Sequence, residues 1–486
     1  MGLRVADIVA HSAHFIGGEW VTSSREPIDV FNPASGEIVG HVQNGGKAEA
    51  ELAIAAASEA RHAWAAMTAS ERAGYLHRWA ALIRAHQEEI AHLLTREQGK
   101  PLAESREEAE GAAMFIEWYA EEGKRAYGEM IPALARNKRI FVVPQPVGVA
   151  ALITPWNYPA TMVARKAAPA LAAGCTIVLK PASQTPLTAV ALIALAAEAG
   201  FPSGVVNLVT GKSSEIGAAF MRHPRVRKVS FTGSTEVGKL LIRQSADEVT
   251  RLSLELGGNA PFIVFPDADL DAAVAAAVGN KFENCGQMCN GINVMYVHED
   301  VLEAFSAQVT ERVSTLKVGF GWEAGVQLGP VIDHRAVEFI DALVREAVRD
   351  GAKVRIGGGA LTKTPYQNGS FYAPTVLTDV TPEMRIAQEE VFGPVATIIG
   401  FKTEDEVLER ANASEFGLAA YLFTRDVRRV FEVSERLEVG MVGVNSASLS
   451  VPQAPFGGIK QSGYGREGGH HGLEEFMEMK YISLTL

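Results

Sequence analysis

The chain has 486 residues, of which 47% are hydrophobic and 21% are charged, so it is too apolar for a disordered protein and long enough for two or three domains. Its formal net charge is −12, and no run of Lys and Arg could follow a phosphate backbone. These values predict a globular protein and exclude nucleic acid as a partner.

The N-terminal segment, residues 1–14, interrupts a short apolar run with Asp7 and His11, which is not typical of a signal peptide. No stretch reaches the roughly 18 uncharged apolar residues that a membrane-spanning helix needs. Three cysteines are too few for a disulfide framework in a chain of this length. We therefore expect a cytoplasmic protein without a membrane partner.

Residues 48–121 predict mostly helix, because their apolar residues recur at the spacing of one helix face, and we interpret that face as core packing. Two further segments predict strands that need not belong to a main sheet, RNKRIFVVPQ (136–145) and KYISLTL (480–486). We expect them to form a small third element suited to pairing with a neighbouring subunit.

From Pro146 onwards, apolar strands alternate with alanine-rich helices, which is typical of a parallel sheet covered on both faces. The helix near 185–199 carries start and stop signals, with Thr185 as a possible N-cap, Pro186 in its first turn and Gly200 after its end. A second set of strands and helices begins at LSLELGGNAPFIVF and includes a long helix over 334–350. The predicted fold class is therefore α/β, with two doubly wound open-sheet domains and a small β element.

The segment GSTEVGKL (233–240) almost spells a phosphate-binding P-loop, but Leu240 stands where that motif needs a Ser or Thr. The usual dinucleotide fingerprint G-x-G-x-x-G is also absent. What remains is a strand that passes through Thr232, Gly233 and Ser234 into a helix, whose free amides favour an anion. The pattern fits a cofactor pyrophosphate and a capped helix without a ligand equally well.

The cysteines differ in their surroundings. Cys285 and Cys289 have the wrong spacing for a C-x-x-C redox pair, and no His lies close in sequence to complete a zinc site, so we predict no metal. Cys175 lies within the apolar strand CTIVL and is interpreted as a core residue. Cys289 lies in the small-residue loop GQMCNG, where the backbone can approach a substrate closely.

An activated cysteine needs a base and an oxyanion donor, and the sequence offers one candidate for each. Glu255 ends an apolar strand and precedes two glycines, so burial could raise its pKa towards that of a useful base. Asn157 lies in the proline-bracketed turn TPWNYP, where a fixed side-chain amide could donate to an oxyanion.

Taken together, the motifs TPWNYP, KPASQTP, FTGSTEVG, LELGGNAP, GQMC, EEVFGP and PFGGIKQSGYGREGG resemble, in their order, those of the aldehyde dehydrogenase superfamily. The resemblance runs along nearly the whole chain and is nearest to the succinate-semialdehyde dehydrogenase branch. It implies a cofactor-binding domain (1–125 and 146–254), a catalytic domain (255–462) and an oligomerisation element (126–145 and 463–486). It also implies a homodimer or homotetramer.

The resemblance implies a role for each matching residue. Cys289 would be the nucleophile, Asn157 an oxyanion donor and Glu255 the base, with Lys166 and Glu467 in a proton relay. Ser183 replaces a glutamate that NAD-preferring members usually carry, so we expect NADP to be preferred and NAD to be possible. The residues implied to bind the cofactor are Thr154, Pro155, Trp156, Lys180, Ser183, Gly233, Ser234, Glu390 and Phe392.

The implied substrate pocket contains Arg165, Glu283 and Ser450, and it departs from the branch pattern. Arg165 matches one of two arginines that grip the far carboxylate of the substrate, whereas Glu283 stands at the position of the other. Val294 also replaces a usual arginine. Succinate semialdehyde is the first candidate for the small-molecule aldehyde substrate, and a neutral, hydroxylated or aromatic aldehyde is the rival.

Three alternatives remain at this stage. Cys285 is interpreted as structural, with a reversible disulfide to Cys289 as the other possibility. A CoA-acylating relative would use the same cysteine but commonly lacks the base that Glu255 supplies. A non-catalytic structural member of the superfamily would be expected to have lost Cys289, Glu255 or Asn157, and all three are present.

Overall fold

The structure is a computed structural model that describes residues 13–486. The expectations for Asp7 and His11, and for the start of the first domain, lie outside the described residues. The strands are β1 His14–Ile16, β2 Glu19–Val21, β3 Ile28–Phe31, β4 Ile38–Val42, β5 Glu129–Ile131, β6 Lys138–Pro146, β7 Val149–Ile153, β8 Thr176–Lys180, β9 Val206–Leu208, β10 Val226–Thr232, β11 Arg251–Glu255, β12 Ala260–Val264, β13 Ile292–His298, β14 Lys353–Ile356, β15 Thr375–Thr378, β16 Val395–Phe401, β17 Phe416–Gly417, β18 Ala419–Phe423, β19 Met441–Val444, β20 Ile459–Lys460, β21 Gly463–Tyr464 and β22 Met477–Thr485.

The helices confirm that residues 48–121 are mostly helical. Two short 3-10 turns, Gly123–Arg125 and Glu283–Gly286, add to them. The α-helices are α1 Lys47–Ala66, α2 Ala69–Ala85, α3 Gln87–Gln98, α4 Leu102–Glu122, α5 Pro159–Ala173, α6 Pro186–Glu198, α7 Ser213–Arg222, α8 Thr235–Ser245, α9 Leu270–Phe282, α10 Glu299–Ser314, α11 His334–Arg349, α12 Arg385–Gln388, α13 Glu404–Asn412, α14 Val427–Arg436 and α15 Gly469–Glu474.

Two large sheets confirm the predicted α/β class. The first has the strand order β2-β1-β9-β8-β7-β10-β11-β21, with a parallel centre from β9 to β11 and antiparallel strands at both edges. The second has the order β14-β15-β16-β13-β12-β18-β19 and is parallel except for β14. Both sheets are therefore mixed, whereas the sequence predicted parallel pairing alone. The limits of the domains stay a prediction.

The centre of the first sheet is buried on both faces, which is why its strands are apolar without alternation. Along β7, Ala150 and Leu152 face one buried cluster, while Val149 and Ala151 face the other. Successive strand residues point to opposite faces, so each cluster receives every second side chain. Helices cover both faces, as expected for a doubly wound sheet.

The small third element is a sheet of order β22-β6-β5. The two strands predicted there pair with each other, from Met477 opposite Pro146 to Thr485 opposite Lys138. Gly463 and Tyr464, which the sequence placed with this element, instead pair with β11 of the first sheet.

The start of α6 is capped by a residue that the sequence did not reveal. Thr185 precedes the helix, but its hydroxyl donates to the carbonyl of Trp156 (3.1 Å) and does not cap it. The buried Glu97 carboxylate accepts from the amides of Leu187 and Thr188, each at 2.8 Å. A carboxylate at this position satisfies two free amides and complements the positive end of the helix.

We expect Glu97→Ala to lower the free energy of unfolding by about 2–3 kcal/mol, because two buried amides would lose their acceptor. The control is Glu198→Ala, which removes an exposed carboxylate from the same helix. Urea denaturation of both variants at one protein concentration measures the difference. Equal losses for the two variants would contradict the capping role of Glu97.

Candidate active site

The central parallel strands of the first sheet bring together residues that are far apart in sequence. Neighbouring strands align Ile153 at the end of β7 with Lys180 at the end of β8 and with Phe231 near the end of β10. Thr232 of β10 is in turn opposite Glu255, at the end of β11. The residues that follow these strands therefore meet at one edge of the sheet.

This edge contains the crevice at which open α/β sheets bind ligands. The chain runs outward from β7 through β8 to β9 and then returns to β10 on the other side of β7, so the connections diverge there. Most of the residues predicted to bind the cofactor lie on these connections: Thr154, Pro155 and Trp156 after β7, Lys180 and Ser183 at and after β8, and Gly233 and Ser234 after β10.

The donors at this edge fit phosphate and ribose groups. Ser234 is the N-cap of α8, and its hydroxyl accepts from the amide of Val237 at 3.4 Å. The ammonium of Lys180 donates to Ser213 (2.5 Å), and burial lowers the pKa of Lys180 to about 8. The Ser183 hydroxyl donates to the carbonyl of Gly211 at 3.5 Å. An ammonium, hydroxyls and a helix N-terminus are the groups that bind a nucleotide phosphate, so these residues fit NAD or NADP.

The loop before β16 supplies the remaining predicted cofactor residues from the second sheet. The Phe392 ring meets the Trp156 ring edge-on, with centroids 5.5 Å apart. Glu390 accepts from the amide of Gly258 at 3.0 Å, and burial raises its pKa to about 7 although the charge of Lys281 opposes the shift. Lys281, which the sequence did not indicate, donates to the carbonyl of Val391 at 3.2 Å.

The loop that carries Cys289 connects α9 to β13 and has an unusual backbone. Asn284, Cys285 and Gly286 adopt φ values of 47°, 57° and 75°, in the left-handed region. Such a conformation costs on the order of 1–3 kcal/mol for each residue other than glycine, so surrounding contacts must enforce it. A Cβ on Gly286 would lie 2.1 Å from the carbonyl oxygen of Gly393, which requires glycine there.

Side chains from α4 and from the turn after β7 hold this loop. The amide of Asn284 donates to Glu104 (2.9 Å), and its side chain donates to the carbonyl of Asn157 (2.9 Å). The Asn157 side chain donates to the carbonyl of Gln287 at 3.0 Å. One hydrogen of the Asn157 amide is thereby fixed on the loop, two residues before Cys289, and the other remains for a ligand.

The sequence did not indicate Lys100 or Glu104, which are among the residues that hold this loop in place. The ammonium of Lys100 is fully buried and contacts Glu108 (2.6 Å) and the carbonyl of Asn157 (2.9 Å). It also lies 3.7 Å from the centre of the Tyr158 ring. No motif surrounds these residues in the sequence, so only the fold could reveal them.

Of the three cysteines, Cys289 alone has a side chain that is not fully buried. Burial raises its pKa to about 12, with the guanidinium of Arg165 opposing the shift and the carboxylate of Glu255 adding to it. Cys285 is enclosed in the core, and burial together with nearby Glu104 raises its pKa well above the usual range. Both thiols are therefore protonated at neutral pH in the free protein.

The carboxylates of Glu255 and Glu467 share a buried network with two cations. Lys166 donates to Glu467 at 2.5 Å and to Ser230 at 3.1 Å, and Arg165 Nε lies 3.4 Å from the other oxygen of Glu467. Burial alone would raise the pKa of Glu467, but the charges of Lys166 and Arg165 hold it below its usual value.

Glu255 has the opposite environment. Its side chain is 3% exposed, and its Oε2 forms no hydrogen bond with the part of the chain that the structure describes. Burial, and next the charge of Glu467, raise the pKa of Glu255 well above its usual value. A Cβ on Gly457 would lie 2.7 Å from Glu255 Oε1, so glycine leaves room beside the carboxylate.

A cavity of about 780 Å³ opens beside Cys289, and all three predicted substrate residues, Arg165, Glu283 and Ser450, line it. Glu283 accepts a hydrogen bond from the hydroxyl of Tyr158 at 2.9 Å. Val294 does not line this cavity, because it is buried in the middle of β13.

Arg165 is the cation of this cavity. Its side chain is 2% exposed and lies between the rings of Phe456 (4.0 Å) and Phe115 (5.0 Å). Apart from the ion pair with Glu467, its Nε and Nη2 form no hydrogen bond within residues 13–486. Buried donors without acceptors are costly, so this guanidinium is suited to an anionic ligand.

Within residues 13–486, no three His, Cys, Asp or Glu side chains come together in an arrangement that could hold a metal ion. No helix in this range is long and apolar enough to cross a membrane.

Nearly the whole chain is similar to known proteins. Residues 20–482 match the model of the aldehyde dehydrogenase family. The chain is 52% identical to 3-sulfolactaldehyde dehydrogenase of Pseudomonas putida (97% of this chain, 96% of that one) and 51% identical to NADP-dependent succinate-semialdehyde dehydrogenase of Escherichia coli (97% of each). A crystal structure of an NADP-dependent enzyme of E. coli superposes with a TM-score of 0.97 at 49% identity, covering 99% of both chains.

We expect iodoacetamide to alkylate Cys289 before Cys175 and Cys285, because those two side chains are buried. Without cofactor, the rate should rise by roughly tenfold per pH unit up to pH 10, since a thiol with a pKa of about 12 ionises only slightly in that range. Peptide mapping by mass spectrometry measures each site, and Cys175 is the internal control. A plateau below pH 8 would contradict the raised pKa of Cys289.

Proposed function

The chain belongs to the aldehyde dehydrogenase family, and we propose that it oxidises a short aldehyde whose far end carries an acid group, with succinate semialdehyde as the first candidate. The observation that supports this substrate class is Arg165, a buried guanidinium with unused donors in the same cavity as Cys289. A carboxylate or sulfonate would satisfy these donors.

The names of the relatives agree with this choice of substrate. One relative is named for succinate semialdehyde, a carboxylate, and another for 3-sulfolactaldehyde, a sulfonate. Both substrates combine an aldehyde with an anion a few bonds away. We infer the same general shape for the substrate here.

In the first half of the proposed reaction, Cys289 is the nucleophile. Glu255, as the base, takes the proton of the Cys289 thiol, and the sulfur then attacks the aldehyde carbon. The charge on the former carbonyl oxygen is held by the free hydrogen of the Asn157 amide and by the backbone amide of Cys289. Loss of one such donor typically costs about 100- to 1000-fold in rate. Bound NADP or NAD would accept the hydride that leaves the substrate.

In the second half of the proposed reaction, Glu255 is the general base. The acyl group on Cys289 is released when a water molecule attacks it, and Glu255 takes the proton of that water. Its raised pKa makes it a stronger base than an exposed glutamate. We propose that Glu467, whose charge acts on Glu255, then takes the proton from Glu255, and that Lys166 supports this step through its contact of 2.5 Å with Glu467.

We propose NADP as the preferred cofactor and NAD as a possible one. Ser183 and Lys180 lie at and after the end of β8, where the hydroxyl adds no negative charge and the ammonium attracts a phosphate. We also propose a homodimer or homotetramer that works in the cytoplasm. Exposed apolar side chains on the β22-β6-β5 sheet, such as Met130 (72% exposed) and Tyr481 (63% exposed), support assembly through this element.

A kinetic panel tests the proposal. Succinate semialdehyde is compared with aliphatic, hydroxylated and aromatic aldehydes, using NADP with and without CoA, and Cys289→Ala is the inactive control. We expect succinate semialdehyde to have the highest kcat/KM of the panel without any need for CoA. A kcat/KM at least tenfold higher for uncharged aldehydes would contradict the substrate class, and a requirement for CoA would contradict the hydrolytic step.

We expect Arg165→Met to lower the ratio of kcat/KM for succinate semialdehyde to that for butanal by at least ~30-fold, about 2 kcal/mol. Butanal has the same number of carbons and no acid group, so changes at Cys289 or Glu467 affect both substrates and cancel in the ratio. Steady-state assays on both substrates measure it. An equal loss for the two substrates would show that Arg165 does not bind the acid group.

We expect Ser183→Glu to lower the ratio of kcat/KM with NADP to that with NAD by roughly tenfold or more, because a carboxylate repels a 2′-phosphate. The matched control is Gln184→Glu, which adds the same charge one residue further along at an exposed position. If the two variants shift the ratio equally, Ser183 does not contact the ribose.

A further inference from the structure

Two neighbouring strands of the first sheet carry buried polar side chains on one face. Polar and apolar residues alternate along β10 (VRKVSFT) and β11 (RLSLE), and the apolar ones between them pack into the core on the opposite face. The polar row consists of Lys228, Ser230, Thr232, Ser253 and Glu255, each 7% exposed or less. Polar groups buried at the centre of a parallel sheet are costly, so this row calls for an explanation.

The polar row starts at the proposed base and runs down the sheet, away from the active-site edge. The two strands are parallel and in register, so Glu255 lies opposite Thr232 and Ser253 lies opposite Ser230. Lys228 comes two residues before Ser230 and points to the same face, because side chains alternate along a strand.

Hydrogen bonds connect the upper part of the polar row to the buried carboxylates of the site. Lys166 donates to Glu467 at 2.5 Å and to the hydroxyl of Ser230 at 3.1 Å. The ammonium of Lys166 thereby joins the network around Glu255 to the middle of β10.

The lower part of the polar row is connected to a carboxylate near the surface. The hydroxyl of Ser253 donates to Glu475 at 2.6 Å, and Lys228 contacts both Ser253 and the same oxygen of Glu475, the latter at 2.7 Å. The Glu475 side chain is 24% exposed. A Cβ on Gly465 would lie 2.9 Å from the Ser253 hydroxyl and 3.1 Å from Glu475, so glycine leaves room beside this pair.

One step separates the two parts. Ser230 and Ser253 are direct neighbours across two strands, which lie about 4.8 Å apart in a sheet. No hydrogen bond joins the two hydroxyls in the structure, which describes both residues. Rotation of one hydroxyl or one bridging water molecule is enough to complete the path.

The proposed reaction needs such a path, because Glu255 takes a proton twice in each cycle. The first proton comes from the Cys289 thiol and the second from the attacking water, so the first must leave Glu255 before the second can be taken. Glu255 and Glu467 are only 3% and 5% exposed. Their protons therefore need a route through the protein.

We propose that Ser230, Ser253 and Glu475 conduct protons from Lys166 to the solvent. The inference rests on the proposed function and extends its proton relay. Lys166 gives a proton of its ammonium to Ser230 while its nitrogen receives the proton that Glu467 has taken from the base, so its charge is restored.

Each serine accepts one proton on its oxygen and gives up the proton of its own hydroxyl. The carboxylate of Glu475 receives the last proton and releases it to water. Lys228 keeps its proton and acts as a positioning residue, because it holds Ser253 and Glu475 together. None of these residues contacts the substrate.

The test removes one hydroxyl at a time. We expect Ser230→Ala and Ser253→Ala each to lower kcat by at least ~10-fold, because a proton-transfer step is lost. The ratio of kcat in H2O to kcat in D2O should increase in both variants, since proton exit then limits turnover. Ser230→Thr restores a hydroxyl and should recover most of kcat. Steady-state assays with NADP and the best aldehyde of the panel measure all three effects.

The matched control is Ser306→Ala in α10, which removes a buried hydroxyl that has no hydrogen-bond partner among the described residues. It should change neither kcat nor the solvent isotope effect. An unchanged kcat in Ser230→Ala and Ser253→Ala would overturn the inference. A loss of kcat without a larger solvent isotope effect, or a loss as large in Ser306→Ala, would show a structural role and would also overturn it.

The unmodified protein separates this inference from the function on which it rests. If it forms NADPH with no aldehyde of the panel, the proposed function fails, and the inference fails with it. If it turns over normally and the two alanine variants do the same, the proposed function stands and the inference alone is wrong.

Discussion

The candidate active site depends on a buried carboxylate, Glu467, and the two cations that contact it. Burying one charge costs several kcal/mol unless others compensate, and the charges of Lys166 and Arg165 lower the pKa of the buried Glu467 so that it remains ionised. The same ionised Glu467 then raises the pKa of its neighbour Glu255. One network thereby gives two carboxyl groups opposite pKa shifts within one site, raised for Glu255, the proposed base, and lowered for Glu467.

The candidate site lies between the two large sheets. Glu255 ends a strand of the first sheet, whereas Glu390 and Phe392 come from a loop that precedes a strand of the second. The loop that carries Cys289 lies between them, and its left-handed backbone persists because Glu104 and Asn157 hold Asn284 in place. The strain in this loop is thus sustained by contacts that form only when the whole chain has folded.

The sequence alone indicated part of the candidate site, namely residues whose chemical type and position in a strand or motif both pointed to a function. Glu255 could be singled out because it is a carboxylate at the end of an apolar strand, whereas Lys180 was expected to bind the cofactor only because of the resemblance to the aldehyde dehydrogenase superfamily. Contacts between segments that are distant in sequence could not be predicted. Lys100 binds a carbonyl 57 residues away, and Glu97 caps a helix 90 residues away in place of Thr185. Neither contact leaves a pattern in the neighbouring sequence. A charged residue that is buried with a distant partner cannot be distinguished, from the sequence, from a charged residue on the surface.

The central proposal is that Cys289 is the nucleophile and Glu255 is the base that activates water. Trapping the acyl intermediate tests this proposal most directly. Glu255→Gln keeps the side-chain volume but removes the base that activates water. After mixing this variant with NADP and succinate semialdehyde, intact-mass and peptide mass spectrometry should find the acyl group persisting on Cys289. Continued turnover with unmodified Cys289, or an acyl group on another residue, would contradict the account.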